Sequence, residues 1–209
     1  VIPVSLEDPS RLATFDEVDD HRGLSVWWAG VESKWEANRV ASEKKPLLER
    51  VNYSGQLEAQ LPLDNDFRVV YSASGNTLTA SVLADPTPII EHKLYWAPVR
   101  TMSEGLYLTG ILNSSVLLER VKPLQSQGLY GGRDFDKHIF SIPFPAFDET
   151  NSDHRALAEA SARAEQVAAG VDTGAAGFQK ARRMIREALK KDGVASAIDQ
   201  VVDRILPQV

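Results

Sequence analysis

The sequence predicts an α/β protein of the α+β kind: a small, mostly antiparallel sheet packed with helices, preceded by a tryptophan-rich helix and followed by further helices. Three observations predict it. Between residues 67 and 99, apolar and polar side chains alternate in short runs separated by turn formers, the period of half-buried strands. Ahead of them, Trp28, Val31 and Trp35 recur at helical spacing. After Thr150 the apolar positions return to the helical period and stay there. Three segments follow: an acidic linker and helical connector (1–66), an α/β core (67–150) and a C-terminal helical segment (151–209).

The first twenty-odd residues, with Pro3, Pro9 and, from Glu7 to Asp20, six acids against Arg11 alone, read as a linker or a surface-hugging segment. Ser25 to Arg50 reads as helical, with Trp27, Trp28 and Trp35 giving it a heavy apolar face, and Pro46 can start a further turn running to Val51. That face suits a core anchor; base stacking is the other reading. Strands are expected over Phe67–Tyr71, Thr77–Ala84 and Ile89–Val99, with a tight turn at Ser74-Gly75-Asn76. In the third strand, Ile90, His92, Leu94 and Trp96 form the buried face and Glu91, Lys93 and Tyr95 the solvated one. Thr101-x-x-Glu104 is a capping box that opens a helix over about Ser103–Leu112. Asn113-Ser114-Ser115 interrupts it, and a second short helix runs over Val116–Val121 until Pro123. Gln125 to Gly132 is glycine-rich and polar, hence a loop, and Lys137–Ile142 reads as a short strand. Cap formers at 150–153 open a helix from His154 to about Ala169. Gly193 separates two further amphipathic helices.

Composition narrows the classes. The 43% hydrophobic and 25% charged fractions are those of an ordinary globular chain, and no apolar run is long enough to span a membrane. No secretion signal opens the sequence, so cytoplasm is the expected compartment. The start at Val1, without Met, reads as a piece of a longer protein, or equally as a processed or renumbered start. Absence of cysteine excludes disulfides and thiolate metal sites. A net charge of −6 argues against a free-standing, non-specific nucleic-acid binder, yet leaves room for a module that reads bases while another domain grips phosphates. From Lys180 to Lys191 there are six basic residues against Glu187 alone. This stretch suits a phosphate-contacting surface or an ordinary solvated helix face.

Enzyme motifs are missing. The nearest string to the Asn/Asp-Pro-Pro-aromatic turn of amino-methyltransferases is Asp85-Pro86-Thr87-Pro88, without the second adjacent proline and the aromatic. No glycine loop follows a strand in the dinucleotide-binding manner, and no nucleophile elbow, P-loop or zinc-protease helix is present. Glu32-Ser33-Lys34 and Glu43-Lys44-Lys45 resemble an acidic-x-Lys nuclease element, but both fall in predicted helix. Asp134-x-Asp136-x-His138 has metal-ligand chemistry. Arg133 and Lys137 within it oppose a cation and favour a salt-bridged loop.

The same loop has the makings of a nucleic-acid contact. Glycines at 128, 131 and 132 let the backbone come close, and Arg133 can fork onto guanine O6 and N7 or clamp a phosphate. Lys137 and His138 follow closely, while Asn113, Ser114 and Ser115 supply neutral donors and acceptors. With Tyr130 in the loop and Arg100, the candidate nucleic-acid-binding set is Arg133, Lys137, His138, Tyr130, Asn113, Ser114 and Arg100.

Three ordered strings carry a resemblance: Tyr107-Leu108-Thr109-Gly110-Ile111-Leu112-Asn113-Ser114-Ser115, then Gly128 to Lys137, then Ile142-Pro143-Phe144-Pro145 before a His-bearing helix (His154, Leu157, Ala158). Together they resemble the C-terminal target-recognition (specificity) region of adenine-N6 DNA methyltransferases from restriction-modification or phage-defence systems. The likeness runs over residues 67–169 and, more thinly, over 25–63. It implies sequence recognition on double-stranded DNA, because an enzyme that flips its target base needs a second lobe to hold the duplex. It also implies that the catalytic domain, which the family places N-terminal to this region, lies outside the sequence, and S-adenosylmethionine with it. No catalytic residue, metal or cofactor is therefore expected here. Further restriction or defence subunits are possible partners. The alternative is a helical scaffold that docks a partner subunit without reading bases. A small enzyme with an unrecognised site is the third reading.

Overall fold

The computed structural model describes residues 3–91, 93–125, 127–128, 131–132, 135, 139 and 141–207. The chain divides into two compact units, 1–64 with 87–91, and 65–86 with 92–209.

In the first unit, the helices are α1 (Phe15–Asp19), α2 (Arg22–Asn38) and α3 (Leu47–Val51), followed by 3-10 turns at Tyr53–Gly55 and Glu58–Gln60. The acidic start is therefore folded onto this unit, which fits the surface-hugging segment and not the linker of the two sequence readings. The cause is local. Thr14 caps α1, and Glu17 returns the bond to the Thr14 N–H, a complete capping box. Arg11 then forks onto both Glu17 oxygens at 2.7 and 2.9 Å. Trp28 is buried against Ala13 and Val18, with Leu24, Leu47 and Leu48 around it, so it anchors a core. Trp27 stays 42% exposed, and the Trp35 indole N–H donates to the Lys45 carbonyl at 3.1 Å. Helix α2 ends at Asn38, short of the expected Arg50, while α3 is the further turn expected from Pro46 to Val51. Glu43-Lys44-Lys45 thus lies in an irregular connection rather than in a helix, with Glu43 paired to Arg50 and Lys45 to Glu49. Residues 87–91 join this unit through Gln60. Its amide donates to the Ile90 carbonyl and accepts from the Ile90 N–H, both at 2.8 Å.

The second unit holds a three-stranded antiparallel sheet in the order β2 (Ala80–Leu83), β1 (Phe67–Ser72), β3 (Leu94–Val99). The α/β class is as expected, but the third strand starts at Leu94, not Ile89. Ile90 has both backbone groups committed to Gln60 and none left for a ladder. Its faces also differ from the expected ones. Tyr95 pairs with buried Tyr71 in register, so the two rings share the inner face, 5.5 Å apart, while Leu94 is 45% exposed. His92 lies outside the described residues.

Helix α4 (Met102–Asn113) packs under the sheet and is the hub of this unit. Thr101 caps it as predicted; Glu104, however, reaches back to the Arg100 N–H and guanidinium rather than to Thr101. Ser114 ends α4 and caps α5 (Ser115–Val121), the break expected from the sequence. Helices α6 (Ser152–Ala169), α7 (Phe178–Asp192) and α8 (Val194–Ile205) follow, with Gly193 at φ 87° letting the chain turn sharply between the last two. Leu157 of α6 and Val202 of α8 are fully buried in the core that Ile111 and Leu117 share.

Lys137–Ile142 does not read as a strand where it is described. Ile139 and Ser141 sit in a 3-10 turn, and the Ile142 N–H donates to the Ile139 carbonyl at 3.4 Å. Ile139 and Ile142 are both buried, so apolar demand from the core, with Pro143 following, overrides strand pairing here.

Candidate nucleic-acid interface

The glycine-rich segment is a short hairpin rooted on the sheet. Its arms are β4 (Gln127–Gly128) and β5 (Gly131–Gly132), paired antiparallel as Gln127↔Gly132 and Gly128↔Gly131. On the entering side, buried Gln125 donates its amide to the Gly75 carbonyl at 3.4 Å. On the leaving side, Phe135 is fully buried and its N–H donates to the Ala73 carbonyl at 2.9 Å. Both shoulders are therefore tied to one place, the connection between β1 and β2. Gly75 takes φ +126° there, a conformation that side-chain-bearing residues rarely adopt.

A third element meets the same connection. The Arg182 guanidinium of α7 donates to Thr77 Oγ1 at 2.7 Å and to Thr79 Oγ1 at 3.1 Å, while lying 5.3 Å from the Phe178 ring centre. Lys180, Arg183, Arg186, Lys190 and Lys191 of that helix are all exposed. The sequence marked the basic run, but the role of Arg182 as its tether depends on threonines more than a hundred residues away.

Of the seven predicted binding residues, Arg133, Lys137, His138 and Tyr130 lie outside the described residues. The other three have internal partners. Asn113 donates its amide to the Ala80 carbonyl and accepts from the Ala80 N–H, each at 2.9 Å. Ser114 is 2% exposed; its hydroxyl donates to the Ile111 carbonyl at 2.8 Å and accepts from the Leu117 N–H at 3.1 Å. Arg100 is exposed and chelated by Glu104, whose carboxyl it holds below the ordinary glutamate range. Ser115, the remaining neutral donor, is bound to Asp199 of α8 at 2.6 Å.

Two of the three strings that carry the resemblance meet in the core. The Tyr107 hydroxyl donates to the Pro145 carbonyl at 2.9 Å, and its ring lies 4.6 Å from that of His154. His154 Nδ1 accepts the Asp148 N–H at 3.0 Å, and Phe147 stacks on the same imidazole. Burial pushes the Tyr107 phenol up to about 12, so it remains a neutral donor. These strings hold the fold together.

Among the described residues, no group of three or more histidines and acids is placed to hold a metal. Asp134, Asp136 and His138 lie outside them. Glu32-Ser33-Lys34 sits within α2, as expected. No helix among the described residues is long and apolar enough to cross a membrane.

The fold and the rooted hairpin define an α/β module with a helical layer. A solved structure of the Type IIL restriction-modification enzyme MmeI in complex with DNA is similar to it, with a TM-score of 0.58 and 14% identity. The match covers 92% of this chain, which spans 25% of that one. The likeness is one of fold. No family model and no curated protein matches the sequence.

Proposed function

We propose that this chain is the DNA-recognition module of a restriction-modification enzyme, selecting the site for an adenine-N6 methyltransferase whose catalytic domain lies elsewhere in the protein. The observation that carries this reading is the antiparallel pairing of Gln127–Gly128 with Gly131–Gly132, with Gln125 and Phe135 bound to the β1–β2 connection on either side. A groove-entering element has to be thin, so that backbone can approach base edges, and rigid at its base, so that the next side chain is aimed. Arg133 follows directly on Gly132. Its guanidinium supplies the bidentate fork that reads guanine O6 and N7 in the major groove. Tyr130, Lys137 and His138 flank it as further contacts to base or phosphate. Likeness in fold to part of an enzyme solved with DNA supports the reading.

Within this proposal Asn113 and Ser114 hold the platform rather than touch DNA, and Arg100 is a peripheral cation. The chain carries out no methyl transfer by itself and leaves S-adenosylmethionine to the catalytic domain. The test is selection of bound duplexes from a randomised pool by the chain joined to its native catalytic domain. Enrichment of one sequence that vanishes in Arg133→Ala is the expected result. Absence of any enrichment would favour the alternative, a helical scaffold that docks a partner subunit.

A further inference from the structure

We propose that α7 is a backbone clamp: Arg183, Arg186 and Lys190 grip consecutive phosphates on one strand of the duplex that the glycine hairpin enters. This rests on the DNA-recognition reading and adds the surface that holds the duplex in register. Arg183, Arg186 and Lys190 stand at i, i+3 and i+7, so they share one face of the helix. Seven residues of helix rise about 10 Å, the axial span of about three phosphates on one strand. All three side chains are exposed, and their only ion pair among the described residues is a loose one from Arg183 to Glu187, at 3.9 Å. The chain as a whole carries −6, so this concentration of cations is a local field of opposite sign, which favours one orientation of a polyanion.

Position decides the partner. Arg182 is the next residue round the helix, and its bonds to Thr77 and Thr79 pin α7 to the β1–β2 connection. Gln125 and Phe135 root the hairpin on Ala73 and Gly75 of that same connection. One anchor thus carries both a thin element suited to a groove and a cationic row suited to the flanking phosphates. Phosphate contacts of this kind fix register and carry no sequence information.

The experiment is binding of the full chain to a labelled mixed-sequence duplex across a series of salt concentrations. The triple variant Arg183→Gln/Arg186→Gln/Lys190→Gln is compared with Lys34→Gln/Lys44→Gln/Arg22→Gln, which removes the same charge from the other unit. A clamp predicts that the slope of log affinity against log salt falls by about 2–3 for the α7 variant, at about 0.9 per lost phosphate contact, and hardly changes for the control. Thermal melts report that both variants fold. Equal slopes for the two variants overturn the clamp while leaving recognition standing. No duplex binding by the wild-type chain at low salt overturns the clamp, and no binding by the chain joined to its native catalytic domain removes the recognition reading as well. Binding of poly-glutamate as tight as that of the duplex, lost in the same α7 variant, overturns the proposal in favour of an acidic protein partner.

Discussion

Asn113 treats Ala80 as a strand would: its side-chain amide both donates to and accepts from the backbone of that one residue, at 2.9 Å each way. The last residue of α4 thereby pairs with the first residue of β2, and helix and sheet are locked at one point. Gln60 does the same to Ile90 in the other unit. Removing such an amide strands a backbone N–H and a carbonyl together.

Asn113→Ala is expected to lower stability by about 1–3 kcal/mol, and Ser114→Ala by about 1 kcal/mol through loss of the α5 cap. Both should leave the preferred DNA sequence unchanged. Denaturant melts beside duplex selection check this; altered base preference at unchanged stability would return these residues to the DNA surface.

Gly110 marks the closest approach between helices. A Cβ there would lie 2.7 Å from Leu157 Cδ1 of α6 and still nearer to Ser161 Oγ. Gly110→Ala should therefore destabilise by about 1–3 kcal/mol, because a packed core cannot part without straining rotamers. Gly30 of α2 has nothing within 4 Å of a built Cβ, and Gly30→Ala should stabilise by up to about 1 kcal/mol from helix propensity alone. Opposite signs in chemical unfolding are the expected result.

Acid should loosen α1. The Arg11 fork holds the Glu17 carboxyl well below the ordinary glutamate range, with Ser5 and the Thr14 N–H adding to it. A carboxyl depressed by folding contributes stability above its unfolded pKa and loses it as pH falls through the folded one. Because Val18 of α1 packs on Trp28, tryptophan fluorescence should report an acid transition in this unit. Glu17→Gln should lower stability at neutral pH and flatten the dependence below about pH 4.5.

Loss of Arg133 is expected to remove about 1–3 kcal/mol of discrimination at one base position, if it forks onto a guanine edge. An Arg133 confined to phosphate would instead weaken all sequences alike and lessen the salt dependence. A purely structural ion pair with Asp134 or Asp136 would lower the melting temperature and spare specificity. Cognate and scrambled duplexes, measured at two salt concentrations beside a melt, separate the three.

Isothermal calorimetry of the chain with S-adenosylmethionine should give no heat of binding. No glycine loop of the dinucleotide type follows a strand in the sequence to hold it. Micromolar binding would contradict the division of labour proposed above.

By itself the sequence determined the features set by neighbours a few residues apart. The helices after Thr150, the break at Ser114 and the break at Gly193 follow from caps, glycine and the helical period, all of them short-range physics. The capping box Thr14-x-x-Glu17 is just as local but is not read from the sequence, where the dense acids make the opening residues look like a linker or a surface-hugging segment. Tertiary structure alone decided which face of the third strand is buried, because Tyr71 across the ladder imposes it on Tyr95. It also turned Asn113 inward, since only the folded chain brings Ala80 within reach of an amide thirty-three residues away. Last, it gathered Gln125, Phe135 and Arg182 onto one β1–β2 connection. No local spacing encodes that meeting, because it depends on how α4, α6 and α8 bury their apolar faces together.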